Sequence, residues 1–377
     1  MKVVFLRSNP VKPDPRVEKQ ANALCGFGYE VMIVGWNRSV SSTIARRDTI
    51  TFENGVVPVR RFNIKASFGG GLRNLLPLLF FQICLLIWLT RHHAEFDVIH
   101  ACDFDTVIPA WFCATLFRKK YVYDIFDYYT DAFKVPKVLK PIVEKVDVFM
   151  INNADAVIIV NESRKVQIKK SAPKHLVVIH NSPVISCGTA NRTDSNREEN
   201  TRPKFVYVGI LSSGRLLEEV IEVFKERFDI ELHIGGFGPL EDYVEDVSEK
   251  HDNIFYYGTL PYSRVLELQG SCDVMFATYD PEVPNHKYSS PNKLYEAMAL
   301  GKPVIVARGT GIDTVVESHG LGIVVEYSKE GFSRGVDYLI SNSSQWGSIA
   351  KRGRAIYETQ YSWRIMEKRL RELYERL

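Results

Sequence analysis

The chain has 377 residues, 45% apolar and 25% charged, with a formal net charge of +3. That length is more than one hydrophobic core usually serves and predicts two domains of ordinary globular composition, which excludes a disordered or fibrous chain. So small a net charge argues against nucleic acid as a partner.

The first element is KVVFLRS, a strand entered with no apolar leader, so no signal peptide is expected. A helix from about Asp14 to Gly26 follows, with Asp14 as its N-cap and Pro15 in the first position, and then the strand EVMIVGW. The intervening loop, SNPVKPDP, lacks the glycines of a dinucleotide fingerprint, which argues against an NAD site. Arg16 places a cation in the first helical turn, against the helix dipole. That suits a bound anion, or a side chain paired with Glu18 or Glu53.

Residues 71–91, GLRNLLPLLFFQICLLIWLTR, are the most apolar stretch. The uncharged run from Asn74 to Thr90 is short for a bilayer, and Pro77 and Gln82 interrupt it. A helix buried between the sheet and its neighbours is the first reading. A helix that also dips one face into a membrane surface is the second, and a true span the third. Over 134–150, Lys134, Lys137, Lys140 and Lys145 are mixed with apolar residues, as on a face that meets anionic lipid or on a solvated helix. The strands FDVIH and YVYDIFD deliver His100, Asp103, Asp124 and Asp127 to strand carboxyl ends, where parallel sheets bind ligands.

The segment 184–203, VISCGTANRTDSNREENTRP, has the polar, turn-rich character of an interdomain linker. The alternation of strands and helices then resumes. The expected organisation is an α/β chain of two Rossmann-like parallel-sheet domains facing each other across a cleft. Residues 1–183 form the first domain and 204–357 the second. A C-terminal helix at 358–377, running from about Trp363, packs back toward the first domain. In YSSPNKLYEAMALGKPVIV, Ser290 is the expected N-cap, Pro291 the first helical residue and Gly301 the stop, with Leu294, Ala297 and Met298 as the buried stripe. Lys293 repeats the anomaly of Arg16. With the N–H groups of Ser290–Asn292 it makes a phosphate site, and Glu296 one turn on is placed for a ribose or sugar hydroxyl. The alternative is an exposed helix with a weak Lys293–Glu296 pair. Cys25, Cys84, Cys102, Cys113, Cys187 and Cys272 show no metal-ligand spacing and read as thiols in a reducing compartment.

The successive segments YVGILSSGRLLEEVIEVF, HIGGFGPLEDYV, YYGTLPYSRVLELQGSCDVMFATY and SPNKLYEAMALGKPVIVA resemble the GT-B glycosyltransferases of family GT4, in that family's order and spacing. DPRVEKQANAL, DVIHACDFD and VYDIFDYY match more loosely in the first half. The resemblance implies retaining transfer from a nucleotide sugar, a UDP- or GDP-sugar, with no cofactor or metal required. The family's Arg after the glycine matched to Gly209 is here Ile210, and Arg215 stands at its Lys position. Its paired-glutamate motif keeps only Glu296, the first acid being Tyr288. A family active-site His falls on Phe126, beside Asp127, and the first glycine-rich loop is absent.

On this resemblance Arg215 and Lys293 neutralise the leaving diphosphate, and Glu296 holds ribose. Gly209 and Gly238 admit the donor closely, with Ser290, Pro291 and Asn292 completing the donor site. Asp127 contacts acceptor or donor sugar, while Arg16, His100, Asp103 and Tyr288 line the acceptor side. The expected acceptor is a saccharide or lipid-linked saccharide, in envelope polysaccharide or glycolipid synthesis. The expected location is cytoplasmic, peripheral on the inner face of the membrane through 71–91 and 134–150. A non-catalytic nucleotide-sugar binder and a nucleotide-sugar epimerase are the alternatives.

Overall fold

The computed structural model describes residues 1–39, 46–67, 71–133, 135–185 and 202–377. Most of the expected linker, together with Lys134 and Cys187, lies outside the described residues. The chain divides into two units, Met1–His180 with Met366–Leu377, and Asn181–Ile365.

The first unit begins β1 (Lys2–Leu6), α1 (Pro15–Gly26), β2 (Glu30–Asn37), β3 (Arg47–Phe52), β4 (Gly55–Asn63), α2 (Leu75–Arg91) and β5 (Val98–Cys102). It continues α3 (Phe104–Phe117), β6 (Lys120–Ile125), α4 (Tyr129–Ala132), α5 (Lys140–Asn153), β7 (Ala156–Ile159) and β8 (Leu176–Val178). Asp14 caps α1 as its sequence requires, accepting from the Val17 N–H. The eight strands run in the order β3-β4-β2-β1-β5-β6-β7-β8, parallel except for the antiparallel β3–β4 pair. That pair has no counterpart in the sequence reading, because charged residues interrupt the apolar ones in both RDTITF and GVVPVRRFN. An edge ribbon needs only one apolar face, and here only Ile50, Val57, Val59 and Arg61 are buried.

Helix α2 divides its apolar surface in two. Phe81, Leu85, Trp88 and Leu89 enter the core beside Trp36 and Val107, whereas Leu76, Phe80, Ile83 and Ile87 stay in solvent, Leu76 at 77% and Phe80 at 56% exposure. The expectation of a helix buried between the sheet and its neighbours therefore holds for one face only. No helix among the described residues is long and apolar enough to cross a membrane.

The second unit contains β9 (Lys204–Ile210), α6 (Leu217–Lys225), β10 (Glu231–Phe237), α7 (Glu241–Lys250), β11 (Ile254–Tyr256), α8 (Tyr262–Ser271) and β12 (Val274–Ala277). It continues α9 (Asn292–Leu300), β13 (Val304–Ala307), α10 (Ile312–His319), β14 (Gly322–Val325), α11 (Lys329–Ser341) and α12 (Trp346–Ile356). Its sheet is wholly parallel, ordered β11-β10-β9-β12-β13-β14, the doubly wound arrangement. Leu294, Ala297 and Met298 are buried, and Gly301 ends α9 at φ +66°, as its sequence predicts. The N-cap, however, is Pro291 and the first helical residue Asn292, one position later than expected. The Ser290 hydroxyl bonds instead to Tyr295 Oη at 2.7 Å.

The last helix, α13 (Trp363–Glu375), brings Met366, Leu370 and Tyr374 into the core of the first unit. Arg369 there donates to the Val178 carbonyl at 2.9 Å, and the Arg371 guanidinium stacks on Phe27.

Candidate functional site

In the second unit the strand order reverses between β9 and β12, so the loops after these strands flank the crevice where parallel sheets bind ligands. Gly209, near the end of β9, has φ +157°, and a Cβ there would lie 2.6 Å from the Lys293 ammonium. Its missing side chain is thus the room that the lysine occupies. Lys293, the second residue of α9, holds its Nζ 4.4 Å above the Tyr207 ring. Arg215 ends a short 3-10 turn after β9, with its guanidinium 4.1 Å over the Tyr279 ring. Its Nη1 is buried without a hydrogen-bond partner.

Among the described residues neither cation is ion-paired to a carboxylate. Burial, and then repulsion from Arg215, push the Lys293 ammonium down to about 8 against the opposing pull of Glu296. Two adjacent cations, each resting on an aromatic face, beside a helix start that no side chain caps, have the charge and free donors that a multiply charged anion would satisfy.

Glu296 is 3% exposed, and its two oxygens accept from Tyr262 Oη at 3.0 Å and Gln269 Nε2 at 2.9 Å. It is a buried side chain held by two donors, not the partner of an exposed lysine. Ser290 is buried, its carbonyl accepting from Asn181 Nδ2 at 2.9 Å. Pro291 and Asn292 open α9, and half-buried Tyr288 ends the turn Pro284–Tyr288. Gly238 is required by the backbone around it. At φ +149° a Cβ would lie 2.4 Å from the Leu211 carbonyl oxygen.

The first unit has its own reversal, between β1 and β5, and a second polar cluster lies there. Arg7, after β1, bonds Asp14 at 2.7 Å and pairs with Asp103, after β5. Asp103 has φ +63° and ψ 168°, a region that side chains avoid, and its carboxylate accepts from the Phe126 N–H at 2.8 Å and the Asp127 N–H at 3.3 Å. Burial raises the Asp103 carboxyl to about 6 despite Arg7. The guanidinium groups of Arg7 and Arg16 lie 4.1 and 4.9 Å from the Phe126 ring centroid. Asp127 is exposed and pairs at 2.9 Å with buried Arg164.

Three sequence expectations are corrected in this cluster. The partner of Arg16 is neither Glu18 nor Glu53. It is Asp124, at 2.8 Å, with a further bond to the Ile179 carbonyl. Asp124 faces no ligand, being fully buried and also bonded by Gln20. Burial alone would raise its carboxyl, but Arg16 and His100 outweigh that and hold it down to about 2. His100 lines no surface either. At 0% exposure it stacks 4.2 Å from Phe5 and shares a 2.7 Å hydrogen bond with Tyr374. Burial lowers its pKa against the pull of Asp124, and it is a core residue.

The sequence reading missed Arg7, Arg164, Tyr207 and Tyr279. Arg7 carried the same signal as His100, a polar residue at a strand's carboxyl end; the others show only once the fold brings them together. No group of His, Cys, Asp and Glu among the described residues is arranged to hold a metal ion.

Residues 190–357, somewhat under half of the chain, match the family model described as Glycosyl transferases group 1. No curated protein sequence matches. Among solved structures, sucrose-phosphate synthase (tll1590) from Thermosynechococcus elongatus superposes with a TM-score of 0.74 at 14% identity, covering 100% of this chain and 98% of that one. Alr3699/HepE of Anabaena, solved in complex with UDP-glucose, gives 0.69 at 16% identity, covering 100% of both chains. The lipopolysaccharide outer core galactosyltransferase WaaB, in its apo form, gives 0.64 at 15%, again covering 100% of both. At such identities the likeness establishes the fold. The chain therefore has the GT-B fold of two parallel-sheet domains, with a Glycosyl transferases group 1 domain over residues 190–357.

Proposed function

We propose that this protein is a GT4-like glycosyltransferase that moves a sugar, with retention of anomeric configuration, from a nucleoside diphosphate sugar to a saccharide or lipid-linked acceptor. The observation that carries the reading is the pair Arg215 and Lys293, two half-buried cations at the switch point of the second sheet with no carboxylate partner among the described residues. An electrostatic clamp of this kind favours the state in which diphosphate charge develops, more than the intact donor. The unpartnered Arg215 Nη1 supplies a hydrogen bond to a diphosphate oxygen, and Lys293 with the first amides of α9 supplies the rest. The departing phosphate oxygen takes the acceptor proton in this scheme, so Phe126 at the family's His position is tolerated. Glu296 keeps one lone pair on each oxygen for ribose hydroxyls, and Asp127 serves the sugar or acceptor. The complexes of Alr3699/HepE with UDP and UDP-glucose favour UDP over GDP as the carrier.

The solvent face of α2 supports an acceptor at a membrane surface. That face is extended by exposed Phe112 and Leu116 on α3 and by Ile142 and Phe149 on α5. Lys137 and Lys145, just before and within α5, are exposed as well, and cations beside apolar residues suit anionic headgroups. This reading puts the enzyme on the inner face of the cell membrane, in envelope polysaccharide or glycolipid synthesis.

The test is a thermal-shift series with UDP, GDP and their sugars, followed by product analysis with lipid and saccharide acceptors. UDP is expected to raise the melting temperature of the wild type, and Arg215→Ala to abolish both that rise and transfer while keeping its circular dichroism. An unchanged UDP shift in Arg215→Ala removes the assignment. Binding without transfer to any acceptor in a broad panel favours the non-catalytic binder, and an altered sugar nucleotide formed without acceptor favours the epimerase.

A further inference from the structure

A cluster of arginines lines a cavity in the edge ribbon of the first unit, formed by residues other than those assigned to the donor. This cavity of roughly 390 Å³ is lined by Arg46, Arg47, Arg60 and Arg61 on one side and by Phe80 and Cys84 of α2 on the other. Arg47 and Arg60 stand directly opposite each other across β3 and β4. Like charges in that register destabilise a ribbon, so the fold carries a cost that a bound anion would relieve. Burial, and then Arg47, lower the Arg60 pKa. Arg61 is committed to the protein, donating to the Pro10 carbonyl at 2.7 Å and pairing with Asp48 at 3.4 Å. Among the described residues, Arg46, Arg47 and Arg60 have no carboxylate partner. The opposite wall begins the solvent face of α2, for Phe80 belongs both to the cavity and to that exposed apolar stripe.

Cations next to an apolar surface match a molecule with a phosphate at one end and hydrocarbon at the other. We propose that this pocket seats the phosphate of an anionic membrane phospholipid while the α2 face rests on the acyl region below it. The inference rests on the membrane-surface reading given above and adds to it a defined headgroup site.

The test is sedimentation of the full chain with vesicles of phosphatidylcholine alone and of equimolar phosphatidylcholine and phosphatidylglycerol. The wild type is expected to bind the mixed vesicles more tightly. The double variant Arg47→Gln/Arg60→Gln, which removes a repulsion and so should fold, is expected to lose about fivefold per charge on mixed vesicles, the equivalent of about 1 kcal/mol each. Its weak binding to neutral vesicles should not change. Lys250→Gln/Lys351→Gln removes the same formal charge from exposed positions of the second unit and is expected to behave as wild type. Wild-type binding by the arginine variant, or an equal loss in the lysine control, overturns the pocket and leaves the surface reading standing. Failure of the wild type to bind either vesicle overturns both.

Discussion

Replacing Lys293 by Met separates what this residue does for the fold from what it does for a ligand. The side chain keeps its length and apolar stem but loses a charge that burial and Arg215 hold at about 8, well below the ordinary 10.5. Because the folded pKa is depressed, the unfolded chain binds more protons between these values. The cost of the charged lysine is thus fully present below pH 8 and fades as pH rises toward 10.5. The whole difference corresponds to about 3 kcal/mol at about 1.4 kcal/mol per pH unit, and solvent screening of a half-buried group reduces this to about 1–2 kcal/mol. In the absence of ligand, Lys293→Met at pH 7 should therefore melt higher than wild type, by about 2–6 °C. UDP should then stabilise it far less, because a charge-assisted hydrogen bond of about 1.5–3 kcal/mol is missing. Paired thermal melts with and without UDP read both effects. A variant that melts lower than wild type and still responds fully to UDP would refute the reasoning, since Lys293 would then be a structural residue.

Three further outcomes are expected. Donor affinity should be flat below pH 8 and decline above it as free Lys293 loses its proton, and Lys293→Arg should abolish the decline; calorimetric titration across pH checks this. Gly209→Ala would push a Cβ into the Lys293 ammonium at 2.6 Å, a mobile group, so nucleotide affinity should fall while the fold persists. Gly236→Ala meets the Gly209 carbonyl oxygen in the backbone and should lower the melting temperature more. Asp124→Asn leaves the buried Arg16 guanidinium uncompensated and should cost about 3–5 kcal/mol in urea unfolding at neutral pH. In wild type that stabilisation is present above the ordinary carboxylate pKa and lost as pH falls toward about 2.

The architecture was legible because it follows from local rules. Alternating strand and helix patterns require parallel sheets, Asp14 and Gly301 punctuate helices by backbone chemistry, and the Leu294, Ala297 and Met298 stripe must face a core. The same reasoning singled out Arg16 and Lys293, because a cation in a first helical turn is anomalous wherever the helix lies, whereas Arg215 entered through the family resemblance. It failed at the β3–β4 ribbon, where an edge strand carries too little periodic hydrophobicity to announce itself. It also placed the cap of α9 one residue early, since Ser290 has Tyr295 as a partner within reach.

What the sequence determined by itself is the succession of elements and the presence of unusual charges at their ends, since periodicity and backbone sterics act over a few residues. Which groups those charges meet was decided only by tertiary structure. Gly209 makes room for an ammonium 84 positions further along the chain, Arg16 finds Asp124, His100 disappears between Phe5 and Tyr374, and Arg47 faces Arg60 across a ribbon. Such partners are joined by strand order and crossover connections, and no local pattern encodes the burial that sets their charge.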